Sequence, residues 1–94
     1  METIRNFLDD RGRLIRFPAK RRKKIPALRF LAEKFEPGRV YTEAQVNDLL
    51  EEWHTFHDPA TLRRELYDLG FLDRTPDGRE YRLAEVQPTP EDDL

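Results

Sequence analysis

Cysteine is absent, and glycine is scarce at four residues in 94. Without cysteine there are no disulfides and no thiolate metal sites. Without a glycine-rich stretch there is no loop to cradle a nucleotide phosphate. No apolar run is long enough to span a bilayer, so neither a membrane span nor a secretory signal is expected, and the default location is the cytoplasm. Only two histidines occur. Of these, His54 and His57 with Asp58 form the single spacing that could suggest a metal site, and Asp58 already has a use as a helix cap. No Ser/His/Asp set and no segregated carboxylate pair stands out, so neither catalysis nor a cofactor is expected.

What the chain does have is charge. Charged residues make up 38% of it and hydrophobic residues 37%, with a formal net charge of -2. The apolar residues are clustered and periodic, which argues against disorder of the whole chain. The length suits one domain with a single core. The signs are unevenly spread. Eleven Lys or Arg lie between Arg11 and Arg39 against Glu33 and Glu36, whereas residues 84–94 carry Glu85, Glu91, Asp92 and Asp93 and no base. A local basic field of this kind can bind phosphate even on a chain that is acidic in total.

The stretch from Asp58 to Leu72 organises the rest. Asp58 is a good N-cap, Pro59 suits the first helical position, and Gly70 follows the last periodic apolar residue as a left-handed cap would. Leu62, Leu66 and Leu69 share one stripe; Arg64, Tyr67 and Asp68 fall opposite, with Arg63 on the flank. Ahead of it, Thr42 to Gln45 fits a capping box, opening a helix through Val46, Leu49, Leu50 and Trp53. Ile25, Leu28, Leu31, Ala32 and Phe35 have helical spacing, but Pro26 interrupts them. The expectation there is either a separate basic turn with the main helix starting near Ile25, or a kink. Glu36-Pro37-Gly38 stops that helix, and Arg39-Val40-Tyr41 reads as a minor strand. After Gly70, Pro76-Asp77-Gly78 marks the turn of a β-hairpin with a glycine bulge.

The predicted fold is α+β and mostly helical: a winged helix-turn-helix with three main helices, a small strand and a C-terminal hairpin wing. Residues 1–18 are expected to form an arm, with a helical turn over Thr3 to Leu8 and a short strand over Arg13 to Phe17. Residues 19–83 are expected to form the winged-helix domain, and 84–94 an acidic disordered tail. The apolar arm, Ile4 to Phe17, is expected to help form a homodimer.

Five consecutive cations, Lys20, Arg21, Arg22, Lys23 and Lys24, are the loudest functional signal, because they repel one another unless phosphates neutralise them. The plain alternative is a solvated helix start, or a contact with the chain's own acidic tail. Arg63, Arg64 and Tyr67 lie on the helix that enters the major groove in a winged helix, where Arg pairs bidentately with guanine. The alternative is internal pairing, Arg64 with Asp68 or Arg63 with Glu51 or Glu52. Arg79, beside the hairpin tip, could reach a phosphate or a minor groove, or simply protect an edge strand along with Arg74 and Arg82. Tyr41, Tyr67 and Trp53 offer rings for base stacking, although the spacing of Trp53 with Leu49 and Leu50 fits the core. The partner expected is nucleic acid, duplex DNA first, in transcription regulation; a protein-interaction adaptor and RNA binding are the alternatives.

Several of these segments together resemble a bacterial family of domains of unknown function found alone or attached behind helix-turn-helix regulators. They are Phe17-Pro18-Ala19-Lys20-Arg21, the link Phe35 to Glu43, Val46-Asn47, Phe56-His57-Asp58, and Ala60 to Leu66 followed by Gly70-Phe71-Leu72. The resemblance covers roughly residues 7 to 83. It implies nucleic-acid binding and assigns no enzymatic residues. The chain departs from the pattern at Pro26 and at Trp53-His54-Thr55.

Overall fold

The computed structural model describes residues 4–88. Three helices and a three-stranded antiparallel sheet follow in the order α1 (Arg21–Ala32), β1 (Tyr41–Thr42), α2 (Glu43–Glu51), α3 (Pro59–Asp68), β2 (Leu72–Arg74) and β3 (Glu80–Leu83). The fold is therefore a small α+β domain, mostly helical.

Local chemistry accounts for most of the boundaries. The Thr42 hydroxyl accepts from the Gln45 N–H at 3.1 Å, and the Gln45 side chain accepts from the Thr42 N–H at 2.9 Å. Two donors that helix geometry would leave unpaired are thus satisfied reciprocally at the start of α2. Asp58 caps α3 by accepting from the Thr61 N–H, with Pro59 next in line. At the other end Gly70 takes φ +88°, its N–H donates to the Tyr67 carbonyl, and the Phe71 N–H donates to the Leu66 carbonyl. That pair of bonds is the Schellman closure, which needs a left-handed residue at this point.

Of the two outcomes expected at Pro26, the separate basic turn is not what forms. The α1 helix runs unbroken from Arg21 to Ala32 with Pro26 inside it, so the basic residues form its first turn rather than a separate one. The proline removes the bond to the Arg22 carbonyl, one turn back on an exposed residue where water can replace it. Against that cost stand Ile25, Ala27, Leu28, Leu31 and Ala32, all buried in the core. Each large side chain among them is worth about 1.5–3 kcal/mol of burial. Side-chain packing, summed over the helix, outweighs one missing hydrogen bond.

The sheet has strand order β1-β3-β2. Tyr41 faces Tyr81 across β1 and β3, while Leu72 faces Leu83 and Arg74 faces Tyr81 across β2 and β3. Period-two alternation turns Tyr41, Tyr81 and Leu72 inward, and the core gathers around them with Leu28, Leu31, Val46, Leu50, Leu62, Leu66 and Phe71. The hairpin closes as the turn chemistry requires. The Gly78 N–H donates to the Thr75 carbonyl, and Gly78 adopts φ +74°.

The arm is not a strand. Residues Arg5–Phe7 form one 3-10 turn, and pairing at Leu14 is limited to isolated bridges with Leu8 and His54. The Leu14 N–H donates to the Trp53 carbonyl and its carbonyl accepts from the Thr55 N–H, so the arm is tied to the turn between α2 and α3. Phe7 and Leu14 of the arm are buried in the chain's own core, whereas Ile15 is 41% exposed. Thr3 lies outside the described residues, as do 89–94 of the expected acidic tail. Residues 84–88 fold back: the Gln87 side chain donates to the carbonyls of Phe71 and Ala84, and Arg29 donates to the Pro88 carbonyl at 2.6 Å. No helix among the described residues is long and apolar enough to cross a membrane.

Candidate nucleic-acid interface

Helix α3 buries Leu62 and Leu66 and so commits its remaining faces. Residues 63 and 65 fall on opposite flanks of that stripe, and 64, 67 and 68 point away from it. Each flank is satisfied by a neighbouring helix. Arg63 Nη1 donates to Asn47 Oδ1 at 2.5 Å, and Nη2 lies 3.7 Å from Glu43 Oε2. The Arg63 side chain is only 18% exposed. Neither Glu51 nor Glu52, expected as its partner, reaches it; the crossing of the two helices brings Glu43 and Asn47, from the first half of α2, beside it instead. On the far flank, Lys24 Nζ of α1 lies 3.4 Å from Glu65 Oε2 and sits over the Phe17 ring. Lys24 is therefore partly consumed internally, while it fixes the start of α1 next to the middle of α3.

Arg64 and Asp68 are exposed on the outer face of α3, and neither makes an ion pair among the described residues. Tyr67, 37% exposed, is not open on both sides: the Arg74 guanidinium of β2 lies 4.2 Å from its ring centroid. Hydrogen bonding to Tyr81 holds the Arg74 proton more tightly than usual and raises its pKa. Arg74 thus joins the hairpin to α3 and is not a free cation. Arg79 is free by comparison, with its side chain 85% exposed and 3.9 Å from Asp77. The turn beneath it is tied by Asp77, which accepts from the Thr75 hydroxyl and the Arg79 N–H. These two bonds, the hydroxyl's first, hold the Asp77 carboxyl below the ordinary carboxylate range.

Lys20, Arg21, Arg22 and Lys23 are exposed and have no side-chain partner among the described residues. They surround a helix start that has no side-chain cap and no acid in its first turn. Peptide dipoles already make a helix N-terminus positive, so four cations here add to the same potential. None of the four forms an ion pair among the described residues.

The expected interface residues thus divide. The structure brings Lys24 and α3 together, leaves Lys20 to Lys23, Arg64 and Arg79 available, binds Arg63 inside the fold, and covers one face of Tyr67. Three residues take roles here that the sequence did not indicate: Arg74, Asn47 and His54. Asn47 carried a faint signal, since it and Glu43 lie four apart on one face of α2. His54 is buried, at 1% exposure, with both ring nitrogens engaged: Nδ1 with the Leu50 carbonyl at 2.7 Å and Nε2 with the Asp58 N–H at 2.8 Å. Since the Asp58 N–H is a donor, Nε2 accepts and Nδ1 carries the proton. His57, which might have joined it, turns outward to Glu51 with φ +54°.

A family described as an uncharacterized protein conserved in bacteria (DUF2087) matches residues 13–83. No curated protein and no solved structure matches the chain.

Proposed function

The chain belongs to that family of uncharacterized bacterial proteins, and from this premise we propose that it is a winged-helix protein that binds nucleic acid and acts in transcription. Two features support the winged-helix reading. The order of helices and strands is that of the motif, and β3 lies between β1 and β2 so that the hairpin stands beside α3. The attachment of such domains behind helix-turn-helix regulators, which the resemblance implies, belongs to the same proposal.

The observation that carries the function is the unneutralised first turn of α1. Lys20 to Lys23 are four consecutive exposed cations at an uncapped helix start, joined to α3 through the Lys24–Glu65 pair. Polyanions are the ligands such a feature selects, because phosphate contact releases condensed counterions. Arg64 and Arg79 add exposed cations from the third helix and the hairpin. Fluorescence anisotropy with duplex DNA, single-stranded DNA and RNA at two salt concentrations tests this reading. Duplex DNA should bind at low salt and weaken steeply at high salt; no binding to any of the three would refute it. The second reading, a protein-interaction adaptor, draws on Arg63 and Glu65 being satisfied within the molecule. RNA remains the alternative polyanion, and would show itself by outcompeting duplex DNA in the same titrations.

A further inference from the structure

We infer that the protein grips duplex nucleic acid by its phosphates and tolerates many base sequences; this rests on the nucleic-acid reading above. Most of the residues that would read bases are already engaged in the molecule. Arg63 is held by Asn47 and Glu43. Each of the three rings offered for base stacking has a cation over one face: Tyr67 has Arg74 at 4.2 Å, Trp53 has Lys34 at 4.0 Å, and the buried Tyr41 has Arg39 at 5.0 Å. Stacking on single strands needs several open aromatic faces, and of these three rings Tyr67 alone is exposed, with one face taken, so an unpaired strand finds little to hold. On α3 that leaves Arg64 as the guanidinium free to meet a base edge, with the exposed carboxylate of Asp68 one turn further on.

One bidentate arginine discriminates a base by about ten- to a hundredfold. Sequence-specific regulators separate their sites from bulk DNA by about 10³–10⁷. A single free reader falls short of that range. The backbone contacts are better supplied: Lys20, Arg21, Arg22 and Lys23 are exposed with no acid partner among the described residues, and Arg79, 85% exposed, has only the exposed Asp77 at 3.9 Å beside its guanidinium. Five phosphates neutralised would give a slope of log K against log salt of about −4.5, or about a five-hundredfold loss for a fourfold rise in salt.

The test combines anisotropy titrations across a salt series with selection from a randomised duplex pool. The slope should lie near −4 to −5, single strands should bind at least about tenfold more weakly, and the best selected duplex should gain no more than about a hundredfold over random sequence. Arg22→Ala should weaken every duplex alike and flatten the slope by about 1, since Arg22 is exposed and its loss leaves the fold intact. Arg64→Ala should erase whatever preference selection reveals. A selected site a thousandfold tighter than random sequence, or single strands binding as well as duplex, would overturn this inference and leave the nucleic-acid reading standing. Failure of every duplex to bind at low salt would overturn both.

Discussion

Replacing His54 with phenylalanine keeps a ring of similar shape in the core and removes both polar atoms. The consequence can be worked from the two bonds. The Leu50 carbonyl also accepts from the Trp53 N–H at 2.9 Å, so losing Nδ1 leaves it half satisfied, at a cost of about 0.5–1 kcal/mol. The Asp58 N–H has Nε2 as its partner and lies partly out of water, so it bears most of an unsatisfied donor's penalty, about 1–3 kcal/mol. His54→Phe should therefore cost about 2–3 kcal/mol, a large share of the 5–15 kcal/mol that holds a typical domain folded. Urea unfolding followed by Trp53 fluorescence measures it, with the midpoint falling and the slope unchanged. Thermal unfolding should drop by about 10–20 °C in parallel. His57, three residues on, is the internal control. Its side chain is exposed and its φ is +54°, so His57→Gly should give up an exposed contact with Glu51 worth about 0–1 kcal/mol, regain a similar amount from the relieved backbone, and leave stability within about 1 kcal/mol of the parent. If His54→Phe stayed within about 0.5 kcal/mol of the parent protein, the claim that this imidazole locks α2 to the cap of α3 would be wrong.

Arg63→Ala should lower stability by about 0.5–1.5 kcal/mol by leaving Asn47 without its partner, whereas Arg64→Ala should leave thermal unfolding unchanged; equal effects would contradict the division between a held and a free arginine. Thr42→Ala removes one half of the capping box and should cost about 1 kcal/mol, read by the same urea titration. Asp9 and Asp77 should titrate below the ordinary value of 3.8 by carboxyl NMR, Asp9 because the Arg13 N–H donates to it and Asp77 because the Thr75 hydroxyl does. Both are depressed in the folded chain. Their contribution to stability is therefore complete above the unfolded carboxylate value and is lost as pH falls through the folded one. Asp77→Asn should shrink that acid-side loss; an unchanged acid limb would show that the turn does not depend on the charge.

Features written in adjacent residues were legible in the chain. The capping box at Thr42 and Gln45, the Asp58-Pro59 start and Gly70 end of α3, and the turn at Pro76-Asp77-Gly78 each depend on residues within a few positions of one another. Their geometry follows from backbone sterics and short-range hydrogen bonds. Pro26 shows the limit of that logic. Its local penalty is real, yet burial of Ile25, Leu28 and Leu31 against the rest of the core is settled only by distant residues, and it prevails.

The interface shows the same division more sharply. The order of elements, the basic run Lys20 to Lys24 and the arginine pair on α3 were all set by the sequence itself. Which of those cations stayed free was decided by the tertiary structure alone. The crossing of α2 and α3 placed Asn47 and Glu43 against Arg63, the docking of α1 placed Lys24 against Glu65, and the pairing of β2 with β3 laid Arg74 over Tyr67. A charge acts through its distance to other charges, and those distances exist only once the helices and strands have packed.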